Sequence, residues 1–148
     1  MNAAVQAPGP SGLEFLEGML TGERAAPIGK TLGFTLVEAE AGRVVFKGAP
    51  GPEVYNPIGT VHGGYAATLL DSACGCAVHS RLSGSQGYTT LELKVAYHRP
   101  MSAQTGPVRA EGRVVSLGRR AAFAEASLAD AAGRLLASAT STLLVFEK

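Results

Sequence analysis

Residues 62–79 carry the one long helical repeat in this chain, and almost everything after residue 86 alternates like strand. That imbalance restricts the fold to a sheet packed on a single long helix. Ala66, Leu69, Leu70, Ala73, Ala77 and Val78 recur at helical spacing and form one apolar face. A second face holds small or polar residues: Gly64, Ala67, Thr68, Asp71 and Gly75. Glycine at 75 costs about 1 kcal/mol of helix propensity relative to alanine, which predicts a close neighbour there, such as a subunit contact. Downstream, Leu91, Leu93, Val95 and Tyr97 alternate with Glu92, Lys94 and Ala96, and Pro100 closes the strand. Residues 108–117 and 120–128 continue the pattern. The last strand sets Leu135, Ala137, Ala139, Leu143 and Val145 against Ser138, Thr140 and Thr142. Upstream, Ser11 as N-cap, Leu13, Leu16 and Leu20 at helical spacing, and Gly22 as a stop predict a short N-terminal helix. Alternation of Leu32, Phe34 and Leu36 within 30–39, then 43–49, predicts a hairpin turning at Ala41-Gly42. The class is α+β. One helix cannot cover both faces of such a sheet, so association is expected.

At 148 residues the chain fits a single domain, with about 1–11 as a flexible tail. A hydrophobic content of 46% against 17% charged residues excludes general disorder. The net charge of +1, from 13 basic and 12 acidic residues, offers no nucleic-acid footprint. No apolar run approaches the roughly 18 residues that span a bilayer. Residues 1–12 lack the basic and apolar regions of a signal peptide, which makes the cytoplasm the expected location. Cys74 and Cys76 point about 200° apart on the helix, so they are read as small buried packing residues, not a disulfide. Asp71 with Cys74, and Cys76 with His79, are i, i+3 pairs that face apart, so no metal site is expected.

The chemistry concentrates in Asn56-Pro-Ile-Gly-Thr-Val-His-Gly-Gly-Tyr-Ala-Ala-Thr-Leu-Leu-Asp71, a polar turn that runs into the helix. Gly63 and Gly64 strip side chains from the helix start, so backbone N–H groups at the positive end of the dipole can approach an oxyanion. Asp71 lies among Leu69, Leu70 and Ala73, where a carboxylate needs a purpose. Oxyanion donors beside an isolated carboxylate suggest acyl-group hydrolysis. Gly64 and Asp71 are seven residues apart, roughly 10 Å along the axis, too far for both to touch one carbonyl carbon. Two antiparallel helices meeting across a dimer would bring Gly64 of one copy to Asp71 of the other.

The chain resembles the hotdog-fold thioesterases, in the PaaI-like (phenylacetic acid degradation) and 4-hydroxybenzoyl-CoA thioesterase group. The resemblance rests on Asn56, Val61-His62-Gly63-Gly64, Thr68-Leu69-Leu70-Asp71, Thr89-Thr90-Leu91-Glu92-Leu93-Lys94-Val95 and Gly118-Arg119-Arg120. It covers nearly all of residues 13–146. It implies a long central helix wrapped by a curved antiparallel sheet, a homodimer joined edge to edge and often paired into a homotetramer. It also implies hydrolysis of an aryl- or medium-chain acyl-CoA without a metal or organic cofactor. Under it, Gly64 with Gly63 would donate N–H to the thioester oxygen, and Asp71 would act as general base or as nucleophile. Asn56 would bond the carbonyl or the water, and His62 would brace the helix start. Thr90 resembles the Ser or Thr placed near that water, although strict alternation puts it on the face of Glu92 and Lys94, so either a bulge intervenes or that face lines the site. Arg119 and Arg120 would contact CoA phosphates. Tyr65, Tyr88 and Phe123 are candidates to line the acyl pocket. A hotdog hydratase would need an acid–base pair, and the small face offers no histidine beside Asp71. The remaining alternative is a non-catalytic acyl-CoA binding protein or sensor.

Overall fold

The structure is a computed structural model and describes residues 7–148. Helix α1 (Gly12–Leu20) starts where its capping signals predict. The Ser11 hydroxyl accepts from the Glu14 N–H, and the Glu14 carboxylate accepts from the Ser11 N–H, so two amides that a helix start leaves open are satisfied. Of the expected tail, residues 1–6 lie outside the described residues, while Gly9 and Pro10 pack against Gly84.

The alternation read from residue 30 onward does not begin as strand. Residues Pro27–Leu32 form a short helix, α2, because Pro27 pre-sets the first turn and Gly33, at φ 72°, ends it in the left-handed region. Strand β1 (Phe34–Glu40) then pairs with β2 (Arg43–Gly48) across the predicted turn. A 3-10 turn at Pro52–Val54 leads to the central helix α3 (Gly63–His79). Four strands follow: β3 (Gln86–Tyr97), β4 (Val108–Leu117), β5 (Ala121–Asp130) and β6 (Leu135–Glu147).

All six strands form one antiparallel sheet in the order β1-β2-β4-β5-β6-β3. β4, β5 and β6 run as a meander, whereas β3 crosses to the far edge beside β6. Helix α3 lies on one face, and every residue of its predicted apolar side is fully buried, against Val44, Val108, Leu128 and Leu143. In β6 the phase differs from the expectation. The β5–β6 register shifts between Leu128 and Ala129, which turns Leu135 outward and Leu136 into the core. The other face of the sheet carries charge: Arg43 bridges Glu38, Glu40 and Glu111, Glu38 also pairs with Arg109, and Glu111 with Arg113. Arg109 and Arg43 hold the Glu38 carboxyl below the usual range. Among the described residues no helix is long and apolar enough to cross a membrane.

Candidate active site

The approach to α3 is organised by Asn56. Its Oδ1 accepts from the Ile58 and Thr60 N–H groups at 3.1 Å each, and its Nδ2 donates to Thr60 Oγ1 at 2.9 Å. That leaves one Nδ2 hydrogen for another acceptor. Asn56 lines neither of the cavities described below. The turn delivers the chain to His62, whose own N–H donates to Val54 O at 2.8 Å. His62 is the N-cap of α3, and its Nδ1 accepts from the Gly64 N–H at 2.7 Å. The bracing role expected of His62 thus falls on the amide expected to meet the substrate. The Gly63 N–H, at the first helical position, has no acceptor among the described residues. The Gly63 carbonyl accepts from Tyr97 OH at 2.7 Å, and the Gly64 carbonyl from Thr68 Oγ1 at 2.8 Å. A cavity of about 520 Å³ opens here, between the two glycines and Tyr97, His98, Arg99 and Met101.

Two turns farther along α3, the half-buried Asp71 accepts at Oδ1 from Thr90 Oγ1 at 2.9 Å. The contact depends on a bulge. In the β3–β6 ladder Thr90 pairs with Leu143 and Glu92 with Thr142, so Leu91 is the extra residue, and its side chain is 60% exposed. Tyr88 and Thr90 therefore face α3 in company with Leu93 and Val95, and the alternation tension is resolved by the bulge.

Beside Asp71 lies a second cavity, about 350 Å³, whose walls are largely aromatic: Phe15, Phe34, Phe46, His79 and Tyr88. Phe15, His79 and Tyr88 stack with successive ring centroids 5.3 Å apart, and the Arg24 guanidinium caps Phe15 at 4.8 Å. Tyr88 also accounts for Gly75. A Cβ at that position would sit 2.9 Å from the Tyr88 ring, so a side chain of the same protomer makes the close approach expected there. Cys74 is a core residue as expected, but Cys76 is only half-buried and lines this cavity. Burial pushes both thiols up to about 12, with the Asp71 charge acting in the same direction, which leaves them protonated and poor nucleophiles. Burial, aided by Lys148, lowers His79, and burial raises Tyr88.

The cavity at Gly63 and Gly64 and the cavity at Asp71 share no lining residue. Arg119 and Arg120 enter neither and project from the exposed β4–β5 turn. Ala122, Leu143 and Thr90 form one rung of the sheet, so that turn lies just past the level of Thr90. Two strands of spacing put the separation at roughly 10 Å. Of the other pocket candidates, Phe123 is exposed. Tyr65 is buried beside Gly48, its hydroxyl without a partner and shifted up to about 12 by burial. Phe15, Phe34 and Phe46 were not anticipated as walls, since their positions read only as apolar periodicity.

Residues 58–137 match the model of the thioesterase superfamily. Human acyl-coenzyme A thioesterase 13 is 32% identical over 110 residues, covering 73% of this chain and 76% of that protein. A relative in Halobacterium salinarum is 42% identical over 72 residues, a stretch of 47% of this chain and 46% of its own length. The crystal structure of a phenylacetic acid degradation-related protein from Ralstonia eutropha superposes with a TM-score of 0.78 at 28% identity, over 88% of this chain and 98% of that one. A single helix wrapped by six antiparallel strands is the arrangement that the superposition covers. The chain belongs to the thioesterase superfamily, as a PaaI-like member of this hotdog-fold group of thioester hydrolases.

Proposed function

We propose that the protein hydrolyses the thioester of an aryl- or medium-chain acyl-CoA, with one active site built from two protomers. The observation that carries the proposal is the division of parts along α3: the open Gly63 N–H and the His62-held Gly64 N–H in one cavity, a carboxylate in another, about 10 Å apart along the helix. Two α3 helices running antiparallel across a twofold axis join the donor cavity of each copy to the Asp71 cavity of the other. Strand β3 supplies the means, because it is a 12-residue edge strand with no neighbour on its outer side within the protomer. Pairing of such dimers into a homotetramer would cover more of the sheet.

In this reading the thioester oxygen sits on the amides of Gly63 and Gly64. The Gly63 N–H is open, and the Gly64 N–H becomes available as the carbonyl oxygen replaces His62 Nδ1. Asp71 of the partner either takes a proton from water as the oxygen attacks, or attacks the carbonyl carbon itself to give an anhydride that water then opens. In both routes the C–S bond breaks and CoA leaves as the thiolate, which takes its proton from the protonated Asp71 in the first route and from water in the second. Thr90, by occupying Asp71 Oδ1, directs Oδ2 at the incoming group. The aromatic walls beside Asp71 suit a flat or medium-length acyl group, since their cavity is near the small end of ligand pockets. Arg119 and Arg120, on the exposed β4–β5 turn, would meet CoA phosphates at the protein surface.

The test is thiol release from acetyl-, hexanoyl-, phenylacetyl- and hydroxybenzoyl-CoA by wild type and Asp71→Asn. The expected outcome is turnover of the larger acyl groups that falls by at least a hundredfold in the mutant. Binding of acyl-CoA without release from any substrate would instead make the protein a non-catalytic acyl-CoA binder.

A further inference from the structure

The peptide group joining Gly63 to Gly64 is held at both ends by side chains. Its oxygen accepts from Tyr97 OH and its N–H donates to His62 Nδ1, each at 2.7 Å. The two glycines lie directly beneath these groups. A Cβ on Gly63 would be 3.0 Å from the Tyr97 hydroxyl, and one on Gly64 would be 2.9 Å from His62 Nδ1. No other residue type fits either position without displacing its partner, so the glycines and the two pins form one device.

A peptide between two glycines is the easiest in a chain to rotate, because neither side carries a Cβ to restrict it. In the free protein the two pins hold it. Once a carbonyl oxygen takes the Gly64 N–H, the imidazole has to let go, and one pin is lost at the moment orientation matters most. Apart from the intrahelical bond that the Gly63 carbonyl accepts in the first turn of α3, the Tyr97 hydroxyl is then the remaining constraint on that plane. Donation into the carbonyl also polarises the N–H at the other end of the same peptide, which strengthens it as a donor. Tyr97 ends strand β3, seven residues after Thr90, and runs antiparallel to α3. One strand thus supports both half-sites, Thr90 on Asp71 and Tyr97 on Gly63.

We infer that Tyr97 is a positioning residue, which keeps the Gly63–Gly64 peptide aimed at the thioester oxygen through its hydroxyl. The inference rests on the hydrolase reading above, and the experiment separates the two. Tyr97→Phe keeps the ring over Gly63 and removes only the hydroxyl; the side chain is 56% exposed, so the fold should not change. The expected result is a kcat lower by about five- to tenfold with KM within about twofold of wild type, the size of one lost neutral hydrogen bond acting on the transition state. On the free protein, amide hydrogen exchange at Gly64, followed by NMR, should speed up several-fold. An unchanged kcat, or a raised KM at constant kcat, would overturn the inference. If wild type cleaves no thioester, the hydrolase reading fails by itself. Gly64 exchange then decides alone: acceleration in Tyr97→Phe sustains the pin, and no change overturns it.

Discussion

Thr90 and Asp71 meet through a single hydrogen bond of 2.9 Å, and the chemistry of the site turns on which oxygen that bond leaves free. Thr90→Val preserves shape and removes the donor. A hydrogen bond to a charged group is worth about 1.5–3 kcal/mol, so kcat is expected to fall roughly ten- to hundredfold, while Thr90→Ser retains most of it. Thiol-release kinetics of the two variants measure the difference, and equal loss in both would point to packing instead. Legibility at this scale was uneven. Asp71 stood out because a lone acid on an otherwise apolar and small-residue helix is conspicuous. Thr90 remained ambiguous, since an extra residue in a strand is invisible to alternation. The capture of the Gly64 amide by His62 depends on a side-chain rotamer, which no spacing encodes.

Helix α3 and strand β3 meet at Gly75, where the Tyr88 ring lies across the helix and walls the aromatic cavity. Gly75→Ala regains about 1 kcal/mol of helix propensity. Against that, the methyl must push a ring packed between helix and sheet, at an overpacking cost of about 1–3 kcal/mol. A small net fall in unfolding free energy is expected, together with a several-fold rise in KM for aryl acyl-CoA as the wall shifts. Denaturant unfolding and a KM series over acyl groups check both. The elements themselves were well marked in the sequence: the caps of α1, the apolar face of α3, the hairpin at Ala41-Gly42. The failures sit where local geometry overrides period. Pro27 and Gly33 made a helix of residues that alternate, and a register shift exchanged Leu135 for Leu136.

At the scale of the whole molecule, the separation of donor and acid makes a prediction about mixing. Gly63→Pro removes the open N–H at a helix position whose backbone tolerates proline and also displaces the Tyr97 hydroxyl, so it disables the donor half of the site. Asp71→Asn removes the acid. Each homodimer is expected to be inactive. In a mixed dimer one site receives both defects and the other receives neither. Random exchange of equal amounts should therefore restore about a quarter of wild-type activity, given twofold symmetry. A site contained in one protomer would restore nothing, so the mixing assay tests the shared site directly. That α3 and the sheet would leave surface needing cover was foreseeable from their proportions, and in the proposed dimer the second copy would join at the β3 edge of the sheet.

The bulge at Leu91 decides which side chain stands opposite Leu143 and so meets Asp71: Thr90 as the strand is built, Leu91 one residue out of frame. Were the bulge to migrate by one residue toward the strand's start, Thr90 would become the extra residue, Leu91 would turn inward opposite Leu143, and Thr89 would keep its outward rung opposite Leu144, so no hydroxyl would face the acid. Tyr88 would keep its place opposite Val145, because it lies before the bulge in either position. A slip of this kind would spare the aromatic wall and remove the hydroxyl from Asp71, so along this strand substrate selection tolerates an error of frame that reactivity does not.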